Sequence, residues 1–270
     1  MMTPRLLRYA AAIKTQLRST NRAHEQATDS AMAIYGASAI YSMIPKNGCT
    51  TLRLSIALAN GAIAGPEDWQ WIHANNQTFR PSLAELATAA YSFAVLRCPY
   101  ARLASCYLEK FVQRKPDAWH YFALTDEEVA PADLTFRQFC RAVCGPKLLA
   151  ANIHWRPQLS FLVYADYDDY FCLEDFAAVP ARLAARIGLK VVDARPLARH
   201  DNQRFEPLPV SETHADTPAW KIETMMRGGQ CPHPASLYDD GLRARVDAAY
   251  KEDFALFSRL FPGRGLFEQM

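Results

Sequence analysis

Two apolar runs of strand length, GASAIYSMI (Gly36 to Ile44) and YSFAVL (Tyr91 to Leu96), each give way to a cationic residue and then to a helical pattern. Strands this continuously apolar are buried on both faces, so they belong inside a sheet rather than on its surface. Strands that alternate with helices build a mostly parallel sheet covered by helices on both sides. In such sheets ligands bind at the carboxyl ends of the strands. The polar corners that follow Ile44 and Leu96 therefore become the first places to look for chemistry.

Helix signals fill the intervals. Thr50 to Asn60 reads as a helix closed by Gly61, a residue suited to the left-handed turn after a helix. SLAELATAA carries Ser82 and, three residues on, Glu85, the capping-box spacing. Pro99 suits the first turn of a helix running to about Lys115, and LTFRQFCRAVCG is a further helix ending at Gly145. LSFLVYADYDDYFCLED supplies one or two strands, and DFAAVPARLAARIGL a helix made irregular by Pro180. LYDDGLRARVDAAYKEDFALFSRLF closes the pattern as one long amphipathic helix. Pro116 to Pro131 reads as a polar surface insertion, and residues 193–234, rich in Pro, His, Asn and charge, as a long loop or lid. Residues 1–30 read as an N-terminal amphipathic helix with Leu6, Leu7, Ala10, Ile13 and Leu17 on one side. Packing on its own domain is the favoured use of that helix; docking on a membrane surface is the alternative.

At 270 residues, half of them hydrophobic, the chain can bury a sizeable core and reads as a single domain, 1–270. A net charge of +2 from 30 basic and 28 acidic residues speaks against a general nucleic-acid coat. No apolar run approaches the roughly 18 to 20 residues a bilayer span needs. The seven cysteines are odd in number and show no zinc-ligand spacing, which fits a reduced, cytoplasmic setting, with at most peripheral contact with a membrane.

The first corner, PKNGCTT, comprises Pro45, Lys46, Asn47, Gly48, Cys49, Thr50 and Thr51. A helix start presents backbone N–H groups and a positive dipole end to an anion. Gly48 permits a tight turn, the threonines add hydroxyl donors and Lys46 adds charge. A nucleotide-binding P-loop would place Lys directly after its last Gly. Here Lys46 precedes Gly48 and no Gly-Lys pair exists in the chain, which disfavours an ATP-consuming enzyme. A plain polar turn is the bland reading. The second corner, VLRCPYARLASCY, sets Arg97 at a strand end and Ser105 eight residues later. A forked guanidinium and a short hydroxyl suit one anion; a surface salt bridge is the bland reading of Arg97.

Together the two corners resemble the sulfotransferase superfamily that uses 3′-phosphoadenosine-5′-phosphosulfate (PAPS). PKNGCTT looks like its 5′-phosphosulfate loop and VLRCPYARLASCY like its 3′-phosphate block. NIHWRPQ (Asn152 to Gln158), YDDYFCLEDF and AAYKEDFALF are similar to later segments of the carbohydrate branch that includes the chondroitin and HNK-1 enzymes. The blocks run in the expected order from about residue 36 to 261. Cys98 stands where many members carry an acidic residue. The membrane anchor of the Golgi enzymes has no counterpart, which implies a soluble, bacterial-type member.

The resemblance implies a P-loop-like three-layer α/β/α fold and transfer of a sulfuryl group from PAPS to an acceptor hydroxyl or amine. The acceptor would be a saccharide, a glycolipid or a small metabolite, and no metal is expected. Lys46 would stabilise charge on the phosphosulfate. Gly48, Cys49, Thr50 and Thr51 would hold the 5′ phosphate within the loop from Pro45, and Arg97 and Ser105 would read the 3′ phosphate. Related enzymes that use a His as base place it between these blocks, where His73 is the one His. His154 is the rival, with Glu85, Asp168 and Glu174 behind it. Trp69, Trp71 and Trp155 could stack on a sugar or lie in the core, and Arg156 could meet an anionic acceptor or a surface carboxylate. Two other functions stay open from sequence: a P-loop-type nucleotide kinase or phosphotransferase, and an inactive anion-binding module on the same fold.

Overall fold

The computed structural model describes residues 5–10, 21–125, 128–198 and 205–264. In chain order the elements are α1 (Arg22–Asp29), β1 (Ala31–Ile34), β2 (Ala39–Ser42), α2 (Cys49–Ala59), α3 (Trp71–Ala74), α4 (Leu83–Thr88) and β3 (Tyr91–Leu96). Then come α5 (Pro99–Cys106), α6 (Pro116–Leu124), α7 (Phe136–Val143), β4 (Asp169–Cys172), α8 (Val179–Ile187) and α9 (Arg195–Ala198). The short strands β5 (Glu206–Pro207) and β6 (Gln230–Cys231) flank α10 (Ala219–Arg227), and α11 (Asp240–Ala249) and α12 (Lys251–Leu260) follow. The chain forms two compact units, one from residues 1–96 with 158–199 and one from 97–157 with 200–270.

The first unit holds a four-stranded sheet in the order β1-β2-β3-β4. β2, β3 and β4 run parallel and β1 is antiparallel, so the fold is mixed α/β with a mostly parallel central sheet, as the apolar runs predict. Every residue of β1, β2 and β3 is buried, which is why these strands read as unbroken apolar runs. On one face Tyr41 and Phe93 stack at 4.9 Å and share a core with Leu52 and Ile56 of α2, Ile72 of α3, and Val179 and Leu183 of α8. Removing either aromatic ring would cost about 3–5 kcal/mol through lost burial and the cavity left behind. From the neighbouring position on β2, the Ser42 hydroxyl meets the Tyr167 hydroxyl at 2.5 Å.

Several local expectations hold. Ser82 and Glu85 form the capping box of α4 as their spacing predicts; the structure adds an unpredicted second box, Thr135 with Gln138, at the head of α7. α2 starts one residue earlier than predicted, and Gly61 follows its end at φ +71°.

Other expectations are corrected. Residues 1–30 are not one amphipathic helix: Leu7 bridges Tyr164 in antiparallel fashion, Arg8 N–H donates to Val163 O, and the helix lies at Arg22–Asp29. Ile13 and Leu17 lie outside the described residues. The backbone pairing available from residues 163–165 outcompetes the weak helical bias of a short N-terminal run. The polar insertion at Pro116 to Pro131 contains α6, whose Ala118 and Tyr121 are buried. Residues 193–234 are not a bare loop either, because α10 buries Ile222 and Met226. Pro180 sits in the first turn of α8, so it starts that helix instead of disturbing it. The long C-terminal helix breaks at Tyr250, whose hydroxyl is drawn into the second unit to donate to Trp155 O at 2.7 Å. Among the described residues no helix is long and apolar enough to cross a membrane, and none of the seven cysteines is in a disulfide.

Candidate functional site

The PKNGCTT corner leaves the carboxyl end of β2 and enters α2. Lys46 has φ +73° and Gly48 φ +73°, so two residues within three positions occupy the left-handed region. For a lysine that conformation costs roughly 1–2 kcal/mol, a strain characteristic of ligand-holding loops. Gly48 is fixed by two causes at once. It supplies the positive φ at the N-cap of α2, and a Cβ there would come within 3.0 Å of Leu173 Cδ1 and 3.5 Å of Phe176. The turn after β4 therefore packs directly on the loop.

Asn47 is the bracket of this corner. It is fully buried; its side-chain amide donates to Val95 O at 2.8 Å and to Gln158 Oε1 at 2.6 Å. Its backbone N–H goes to Ile44 O at 3.3 Å, so every donor of Asn47 is engaged inside the protein. Pro45 has no N–H to give. What the corner offers an anion is the Lys46 ammonium and the amides heading α2, which a helix leaves without intrahelical partners. Thr50 is half-buried. The Thr51 hydroxyl accepts from Ala194 N–H at 3.2 Å, which leaves its proton as the donor. Cys49 opens α2, half-buried. One turn later comes Arg53, whose guanidinium donates to Ile72 O and Asn76 Oδ1.

His73 belongs to the short helix α3. It is exposed, and Trp69 meets its ring edge-on at 5.4 Å. Asn76 Nδ2 donates to the His73 carbonyl at 3.2 Å. The three reserve carboxylates separate clearly. Asp168 takes Arg5 at 2.6 Å and Ser92 N–H at 2.7 Å, beside the first residues of β3 and therefore at the far end of the sheet from the corner. Glu85 is engaged in the α4 cap, and its hydrogen bonds from Ser82 hold its carboxyl below the usual range. Glu174 follows the carboxyl end of β4 and accepts the Cys172 thiol at 3.0 Å.

The second unit begins at Arg97, directly after β3. Arg97 and Ser105 are both half-buried, and Ser105 is the penultimate residue of α5, about 9 Å along the axis from Pro99. α5 runs on into a π-helical turn at Tyr107–Val112. His154 is one member of a charge chain: its Nε2 meets Asp117 Oδ1 at 3.1 Å, Asp117 Oδ2 meets Lys110 at 3.0 Å, and Lys110 meets Glu109 at 3.2 Å. The hydrogen bond from His154, with Lys110 adding to it, holds the Asp117 carboxyl well below the usual carboxylate range. Trp155 is fully buried and donates to Leu148 O at 2.8 Å, so it is a core anchor and not a sugar platform. Trp71 packs on Phe79 at 5.7 Å. The Arg156 guanidinium folds back on Ala150 O at 3.0 and 2.9 Å.

Sequence reasoning passed over Arg53 and Asp117. Arg53 had a signal, a cation four residues after Cys49 on a helix that is otherwise uncharged. Asp117 had none, because its histidine partner, His154, is distant in sequence. Among the described residues no group of three or more His, Cys, Asp or Glu side chains is disposed to hold a metal ion.

A family model described as "Sulfotransferase family" matches residues 37–258, from just before β2 into α12. No curated protein and no solved structure matches the chain.

Proposed function

This chain belongs to the sulfotransferase family, and from that premise we propose that it moves a sulfuryl group from PAPS to an acceptor hydroxyl or amine. The carbohydrate-branch wording of its later segments favours a saccharide, glycolipid or small metabolite as acceptor, and a bacterial-type enzyme. Family membership supports sulfuryl transfer in general. The observation that carries the finer reading is the Lys46–Gly48 loop, held in strained left-handed geometry at the head of an 11-residue helix.

The donor set fits a phosphosulfate. Backbone amides at the start of α2, the Thr50 and Thr51 hydroxyls and the Lys46 ammonium are all donors, and the Asn47 bracket keeps the loop on the end of β3. PAPS supplies the activated sulfuryl group and, in adenosine 3′,5′-bisphosphate, a leaving group of low basicity. Lys46 neutralises the charge that grows on the bridging oxygen as the S–O bond breaks. Cys49 contributes its backbone N–H. Arg97 and Ser105 bind the 3′ phosphate, the group that distinguishes PAPS from ATP. His73 takes the acceptor proton, worth on the order of 10² to 10⁴ in rate. The proton ends on the imidazole and the sulfuryl group on the acceptor oxygen or nitrogen.

Titration with adenosine 3′,5′-bisphosphate tests the reading. Lys46→Ala and Arg97→Ala should each weaken binding about 10- to 100-fold, the value of a charged hydrogen bond. Two variants that bind as tightly as wild type would sink it. ATP with magnesium raising the melting temperature where the bisphosphate does not would point to a phosphotransferase instead.

A further inference from the structure

Arg53 is the buried cation of the first unit that the reading above leaves without a task. It is 9% exposed and lies on α2 one turn after Cys49. A buried guanidinium is normally matched by a carboxylate, because desolvating the charge is expensive. Among the described residues Arg53 meets none: its hydrogen bonds go to the carbonyl of Ile72 and to the side chain of Asn76. Those two acceptors bracket His73 in sequence, and Asn76 passes a further hydrogen bond to the His73 carbonyl. A planar fork is suited to gripping two acceptors in a fixed relation, which an ammonium cannot do. α3 is only four residues long, too short to hold its own geometry, so the direction of the His73 turn depends on what grips it from outside.

We propose that Arg53 is the positioning residue for His73: its buried guanidinium fixes the α3 turn to the helix that begins at the phosphosulfate loop. The inference rests on the reading of His73 as the base. It adds that the base and the loop are held as one rigid piece through α2, so that the proton acceptor stays in register with the sulfuryl group. Losing that register costs rate and leaves nucleotide binding in place.

The test uses Arg53→Gln, His73→Ala and the double variant in the full chain. The ring signals of His73 in ¹H–¹³C NMR are assigned by their loss in His73→Ala. Arg53→Gln should shift or broaden those signals and leave the His24 signals in place. Affinity for adenosine 3′,5′-bisphosphate should stay within about threefold of wild type. Turnover of PAPS with water as acceptor, read as bisphosphate release, should fall about 10- to 100-fold in kcat, the effect of a small misplacement. In the His73→Ala background the same substitution should add less than about threefold, because both changes remove one function. Unchanged His73 signals, or a full multiplicative loss in the double variant, overturns the proposal. Wild-type turnover in His73→Ala would instead overturn the base assignment, and the ring signals would still report whether Arg53 grips the turn. If Arg53→Gln does not fold, Asn76→Ala, at an exposed position, removes one of the two acceptors and should move the same signals by a smaller amount.

Discussion

His73 and His154 are both imidazoles in polar segments beside a tryptophan, and the structure puts them in opposite circumstances. His73 is exposed on a four-residue helix and is gripped through its backbone neighbours by Arg53 and Asn76. His154 is half-buried, and its ring nitrogen is committed to Asp117 at 3.1 Å within a chain of four ionisable groups. The contrast teaches that a histidine can be fixed by its backbone or by its ring. The first kind holds the exposed histidine proposed here as the base. The second makes the ring a structural partner, here joining the 152–156 turn to the head of α6.

The largest expected effect attacks that division directly. His73→Ala should lower PAPS turnover by about 10²-fold or more, the low end of the range for a general base, with bisphosphate affinity kept. A variant that turns over normally would erase the contrast and pass the role to another group. Next, His154→Ala should cost about 1–3 kcal/mol of stability by removing one partner of a partly buried carboxylate, measured by urea unfolding. Its turnover per folded molecule should stay within about twofold of wild type, since the ring touches no reacting atom in this reading. A loss of turnover as large as that of His73→Ala would reverse the assignment.

A smaller effect sharpens the same point through pH. The folded-state pKa of Asp117 is depressed, with the His154 hydrogen bond as first cause. A depressed carboxylate stabilises the fold above its unfolded pKa, and the contribution is lost as pH falls below about 4 towards the folded value. Asp117→Asn should therefore lower stability by about 1–2 kcal/mol at neutral pH, discounted for partial exposure. It should also flatten the acid limb of the stability curve below that pH. An acid limb identical to wild type would show that the charge chain contributes nothing to the fold.

The two corners differ in a similar way in how far they could be read beforehand. PKNGCTT was legible as a polar turn into a helix because a glycine, a lysine and a helix start are written in seven consecutive residues. The left-handed Lys46 was not legible, since nothing in a lysine asks for positive φ; the constraint comes from Asn47 reaching Val95 and Gln158. Arg97 and Ser105 could be picked by spacing, yet spacing said nothing of the π-helical turn that follows α5. The reserve carboxylates were indistinguishable in sequence. Strand direction separates them, because Asp168 sits at the amino end of the sheet while Glu174 follows the carboxyl end of β4.

By itself the sequence determined the class of fold, the capping box of α4, and the two polar corners that follow β2 and β3. Each of these is carried by contiguous residues whose periodicity, propensity or hydrogen-bonding capacity acts locally. Only the tertiary structure decided that residues 5–8 pair as extended chain instead of coiling, that Tyr250 breaks the last helix, and that Trp155 is core. It also decided that the His154 ring meets Asp117 and that Arg53 and Asn76 hold the turn carrying His73. Those outcomes turn on partners tens of residues away, where a buried donor or acceptor must find a mate and overrides the local preference when it does.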